Sequence, residues 1–118
     1  MSHIPRKVRD AVVARADGCC ERCGRWAEGG SLHHRKLRSQ GGRDTVANLV
    51  LLHGSGVTGC HGHVHQDRID AAIEGFVVPA WEDPAEVSVV VHGYGRVRLS
   101  ADGGYVPVAV AAGEQVSP

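Results

Sequence analysis

Apolar residues recur at helical spacing near the start of the chain. Val8, Val12 and Ala16 stand four apart with charges between them, which predicts a helix over residues 5–17. Pro5 suits its first turn, and Gly18 suits the position just past its end. A tight Cys-rich turn, GCCERCG, follows. Residues 31–34 (SLHH) predict a short strand, and residues 35–44 (RKLRSQGGRD) a basic, Gly-containing loop. The compact apolar run at 49–53 reads as a buried strand, and 54–59 as a loop of Gly, Ser and Thr. A second helix is expected over 60–74, stopping at Gly75, with Val64, Ile69, Ala72 and Ile73 facing inward.

The pattern changes after Gly75. Residues 76–78 and 87–91 are strand-like, separated by Pro79 and Pro84. Residues 95–99 and 105–110 flank ADGG, a hairpin turn signal. The tail from Ala111 is expected to fray. There is no internal repeat. The expected class is α+β, organised as a core over 1–75, a β-rich extension over 76–110 packed on it, and a tail over 111–118.

Composition narrows the choice. At 118 residues the chain is one domain with few aromatics, so its core is modest and a staple is expected. Four cysteines offer one. The N-terminal MSHIPRKVRD lacks the apolar segment of a signal peptide, and no run approaches the roughly 18 apolar residues of a membrane span. A cytoplasmic protein with no membrane partner is expected, in which thiols stay reduced and bind metal. Formal net charge is zero, yet residues 1–45 hold ten Lys/Arg against five Asp/Glu, and 46–118 hold three against eight. A DNA-facing surface on the first part would give this asymmetry, and so would a solvated face with no partner.

Cys20 and Cys23 form a knuckle, two thiolates that close on one metal across a tight turn. A tetrahedral zinc needs two further ligands. Cys60 is the remaining distant thiol, and His53 ends the buried strand and opens the loop leading to Cys60. A structural zinc on Cys20, Cys23, His53 and Cys60 is expected, with Cys19 an alternative to Cys20. Thiols that bind nothing remain the alternative to the whole site. A thioredoxin-like pair lacks its βαβ context.

A second set of ligands overlaps the first. His61 and His65 share one face of a helix and can share one metal. Adjacent residues on a strand point to opposite faces, so one of His33 and His34 can supply a third ligand while its neighbour accepts a proton. Imidazole is the side chain best poised to deprotonate water at neutral pH, and a divalent cation stabilises charge on a phosphate. His63 should face away from His61 and His65, at the surface or near DNA. His3 and His92 are isolated.

CERCG, LHHRKLRSQGG, NLVLL and CHGHVH resemble the HNH endonucleases, above all the small phage-encoded ones, over about residues 18–66. The resemblance implies a zinc-stapled ββα-metal domain, here with an N-terminal helix and a C-terminal β-hairpin extension. It makes His34 the general base, His33 a metal ligand and Asn48 the central asparagine that fixes the loop. His61 and His65 complete the metal site. Two features depart from the family pattern. A long Gly/Ser loop precedes Cys60, where many members have Cys-x-x-Cys, and His33 stands where many have Asp. Three imidazoles suit a softer transition metal, which leaves Mg, Mn, Ni and Zn unranked.

Arg35, Lys36, Arg38 and Arg43 are expected to contact DNA phosphates, because their loop begins beside the base. The implied activity is a DNA endonuclease or nickase that leaves 5′-phosphate and 3′-hydroxyl ends. By resemblance it would act in an infected bacterial cell, in DNA packaging beside the phage terminase large subunit. A non-catalytic zinc-stapled nucleic-acid-binding module is the competing class. A toxin-like nuclease is a third, disfavoured because no receptor or translocation segment is evident.

Overall fold

The computed structural model describes residues 3–108. The first helix, α1 (Arg6–Ala16), starts after Pro5 and ends where Asp17 turns left-handed, with Val12 fully buried on its inner side. Strand β1 (Ser31–His34) pairs antiparallel with β2 (Leu49–Leu52), and His33 faces Val50 across the ladder while His34 faces Leu49. All four residues of β2 are buried because the strand packs against α1 and also against α2 (Gly59–Gln66). A run apolar at every position, rather than at alternate ones, marks a strand covered on both faces.

The single helix expected over 60–74 is two. The chain breaks at Asp67 (φ −122°, ψ 78°), and α3 (Arg68–Glu74) begins there. The Asp67 carboxylate accepts the Asp70 backbone N–H and caps the new helix. The break changes the phase of the apolar positions. Val64 and Ala71 are buried, whereas Ile69 and Ile73, expected to face inward, are 79% and 67% exposed.

The extension is also more than a hairpin. Strands β3 (Val89–Val91), β4 (Gly95–Leu99) and β5 (Tyr105–Pro107) form a three-stranded antiparallel sheet in sequential order. Residues 76–78 form no strand. Phe76 N–H closes on the Ala71 carbonyl and its ring is buried, while Val78 N–H donates to Arg35 O. The last two positions of the expected 105–110 strand, and the tail from 111, lie outside the described residues.

Side chains from before and after Gly75 share one apolar cluster, with Val12, Leu49, Leu52 and Val64 on one side and Phe76, Val89, Val97 and Leu99 on the other. Two polar clamps cross the same seam. In the first, Glu21 is buried, paired with Arg15 at 2.9 Å and accepting the Tyr105 hydroxyl at 2.6 Å. Burial, followed by the Glu21 charge, pushes the Tyr105 phenol well above its ordinary range, so it remains a donor. The second clamp is Arg35. Among the described residues, no helix is long and apolar enough to cross a membrane.

Candidate active site and metal centres

The antiparallel ribbon β1–β2 and the helix that follows it bring two sets of metal-ligating side chains together. Cys20 and Cys23 stand on the knuckle after α1, His53 just past β2, and Cys60 in the first turn of α2. One donor atom from each lies within 4.8 Å of all the others. Cys23 Sγ is 3.4 Å from His53 Nδ1. Cys20 and Cys60 are buried, and Cys23 and His53 are half-buried. The sulfurs already interact, and Arg22 donates to Cys60 Sγ at 3.4 Å. Burial pushes the Cys60 thiol up, against the pull of Arg22. A set of three sulfurs and one imidazole, four donors in all, fits zinc, which would hold the thiols as thiolates. Cys19 takes no part: its thiol points to the Asp17 carbonyl, and its backbone bridges to Trp26.

The second set comprises His33 from β1 with His61 and His65 from α2. Their donor atoms also lie within 4.8 Å of one another, and the ring centroids are 4.7–5.4 Å apart. His33 Nε2–H donates to the Phe76 carbonyl at 2.8 Å, which fixes the tautomer and leaves Nδ1 as a lone pair. Burial pulls the His33 imidazolium down to about 3, and burial with the His65 charge lowers that of His61. These rings are therefore neutral at pH 7. His61 and His65 face each other through Nε2 at 3.0 Å, and His61 Nδ1 is buried with no hydrogen-bond partner. Three imidazoles with donor atoms this close, one ring carrying a buried nitrogen that nothing satisfies, fit a divalent metal.

His34 points away from this cluster, as alternation along a strand requires. Its Nε2 lies 2.7 Å from Asp44 Oδ1, and Arg38 reaches the same carboxylate at 3.0 Å. The His34 bond, with Arg38 adding to it, holds Asp44 below the usual carboxylate range. An ionised carboxylate only accepts, so Nε2 carries the proton and Nδ1 the basic lone pair. His33, His34, His61 and His65 line one open cavity of about 410 Å³ with Leu37, Arg38 and Ser39. Asp44 was missed by sequence reasoning. Its position at the end of the basic loop, ten residues past His34, carries no periodic signal.

Asn48 is buried and makes three bonds that close the loop: Oδ1 accepts Lys36 N–H, and Nδ2 donates to the carbonyls of Lys36 and Arg43. The loop is also pinched at Gly42, where a Cβ would collide with the Lys36 carbonyl oxygen. The loop that carries Arg38 and Asp44 is thereby held beside His34.

The four basic residues expected at phosphates separate in space. Arg35 is corrected outright: it is fully buried, and its guanidinium donates to the carbonyls of Gly75, Ala47, Pro84 and Val87 at 2.7–2.9 Å. Burial pulls it down to about 10, so it stays protonated at pH 7. Its fork joins the ribbon to the extension and cannot reach a phosphate. Lys36 is half-buried and donates to the Glu82 carbonyl, Arg38 forks onto Asp44, and Arg43 is exposed. His63 turns from the other helix histidines and donates to Asp70 at 2.7 Å.

A two-stranded ribbon and a following helix that gather histidines from both define a ββα-metal domain, the fold of a class of metal-dependent nucleases. Residues 20–67 match the family model described as HNH endonuclease, so this segment of the chain is similar to that family. No curated protein and no solved structure matches the chain.

Proposed function

We propose that this protein is a metal-dependent DNA endonuclease or nickase in which His34 is the general base. The carrying observation is the shared cavity: the His33–His61–His65 cluster and His34 line the same cleft from opposite faces of β1 and from α2. His33, His61 and His65 would hold one divalent cation, which stabilises charge on the scissile phosphate and the leaving oxygen when bound. His34 Nδ1 takes a proton from the attacking water, and Asp44 steadies the imidazolium that results. Asn48 keeps the loop closed so that Asp44 and Arg38 stay in register with the base. Arg38 neutralises phosphate beside the cleft, and Arg43, exposed on the same loop, does so farther along the strand. Cys20, Cys23, His53 and Cys60 would hold a structural zinc.

The reading extends to DNA packaging beside a phage terminase large subunit, supported by the likeness of CERCG and CHGHVH to the small phage-encoded members. A supercoiled-plasmid assay tests the chemistry. Wild type stripped of loosely bound metal should nick DNA when Mg, Mn, Ni or Zn is returned, and His34→Ala should not. Equal cleavage by both proteins would remove His34 from its role. A folded, zinc-loaded wild type that binds DNA but fails to cleave it with any of these metals would favour the non-catalytic binding module.

A further inference from the structure

The histidine cleft has a neighbour of similar size. A pocket of about 460 Å³ lies on the other side of the basic loop, lined on one wall by Lys36, Arg43 and Thr45 and on the other by Trp81, Glu82 and Asp83. The loop is a partition between the two. Asp44 turns to His34, while its neighbours Arg43 and Thr45 face the pocket, and Asn48 ties both sides together. Lys36 Nζ donates to the Glu82 carbonyl and bridges the walls.

Trp81 is 85% exposed in a chain with two tryptophans and one phenylalanine. A large ring held in solvent at the mouth of a pocket contributes nothing to the core. Its flat face beside two cations is the chemistry that receives a stacked base and its phosphate. The carboxylates limit what enters. One Asp83 oxygen already accepts the Ala85 N–H. The Glu82 carboxylate meets no donor among the described residues, and a carboxylate there repels phosphate but accepts from the amino edge of a base.

We propose that this pocket is a nucleotide subsite. An unstacked nucleobase of the bound strand would lie against Trp81 and present its donor edge to Glu82, while Arg43 meets the adjoining phosphate. Guanine fits best, because its N1–H and N2–H both point toward one carboxylate. The subsite rests on the nuclease reading, and it would place the strand a loop's width from the scissile bond. It would also supply a base preference that the cleft, lined by imidazoles and Arg38, does not.

The test uses zinc-loaded His34→Ala protein and anisotropy of labelled short single strands: a guanine run, a thymine run and an abasic strand. The guanine strand should bind most tightly. Trp81→Ala should weaken it about 5- to 100-fold, the range for losing one stacked base, with the abasic strand unaffected. Glu82→Gln should narrow the gap between guanine and thymine while leaving the abasic strand unchanged. Trp81 is exposed, so its removal leaves the core intact, and an unchanged melting transition checks this. Equal affinities for all three strands, or no loss in Trp81→Ala, would overturn the subsite even if wild type cleaves plasmid through His34. Base-dependent binding through Trp81 with no cleavage by wild type would uphold the subsite and remove the nuclease reading.

Discussion

The two ligand clusters use the same helix and differ in how they are closed. Cys60 and His61 are neighbours at the start of α2, yet Cys60 is buried among the knuckle thiols and His61 borders an open cleft with the exposed His65. The cysteine set has four soft donors around one point, which leaves no position for a substrate atom. The histidine set has three, facing a cavity of about 410 Å³. Closed four-ligand sites stabilise folds, and three-ligand sites with an open side do chemistry. One short helix thus carries a closed ligand set on one face and an open one on another.

The largest expected effect breaks the first of these sites. Structural zinc supplies on the order of 10–16 kcal/mol in small metal-stapled domains. Chelation of tightly held zinc, or Cys23→Ala, should therefore collapse the thermal transition followed by circular dichroism. Retention of the wild-type melting curve after zinc removal would show that the four donors are not a staple. Weak, exchangeable metal at the histidine set should have little effect in the same scan.

Arg35 tests whether the fold depends on the seam across Gly75 as well as on the staple. Arg35→Met would strand the buried carbonyls of Gly75 and Ala47, each costing about 1–3 kcal/mol when unsatisfied, and release the half-buried ones of Pro84 and Val87. Chemical denaturation should register several kcal/mol of lost stability. A variant of normal stability with weakened DNA affinity would instead restore the phosphate-contact role that burial argues against.

Asp44 sharpens the account of the open site. Asp44→Asn keeps the shape but replaces a charged group that only accepts with an amide that can also donate, so the His34 tautomer is no longer fixed. Cleavage should fall by about 10- to 1,000-fold, within the range for general-base catalysis, with zinc content and DNA binding retained. Full activity would mean that the base is oriented by something else.

Acid should separate the two regions least. His33 is depressed to about 3 in the fold, against an ordinary value near 6.5 in the unfolded chain. The unfolded state therefore binds the extra proton first as pH drops, and stability declines from about pH 6.5 toward 3. Asp44, also depressed, adds a loss at the acid end as its folded-state carboxylate protonates. Melting temperatures measured across this window with zinc kept saturating should decline with acid. A flat profile would contradict the burial of a neutral His33.

Much of the site was legible in the order of residues. Two cysteines separated by two residues, two histidines separated by three, and an His-His pair on a four-residue strand each have a local geometry that needs no tertiary information. The apolar run LVLL announced a strand covered on both faces for the same reason. The second helix was misread because its apolar positions were counted through Asp67, where the backbone leaves helical angles and a side-chain cap restarts it. Periodicity cannot register a change of phase that a single carboxylate makes.

Local chemistry thus determined which residues can bind metal, which can take a proton, and that strands and helices alternate around them. Only the tertiary structure decided between residues of identical type. Arg35 and Arg38 belong to the same basic loop, yet one is sealed under the extension by four carbonyls and the other forks onto Asp44 at the surface. His61 and His63 stand two apart, and one joins the cleft while the other pairs with Asp70. A guanidinium or an imidazole takes its role from the partners that distant segments bring to it. Here those partners are Gly75, Pro84 and Val87 for Arg35, and Asp44 for His34.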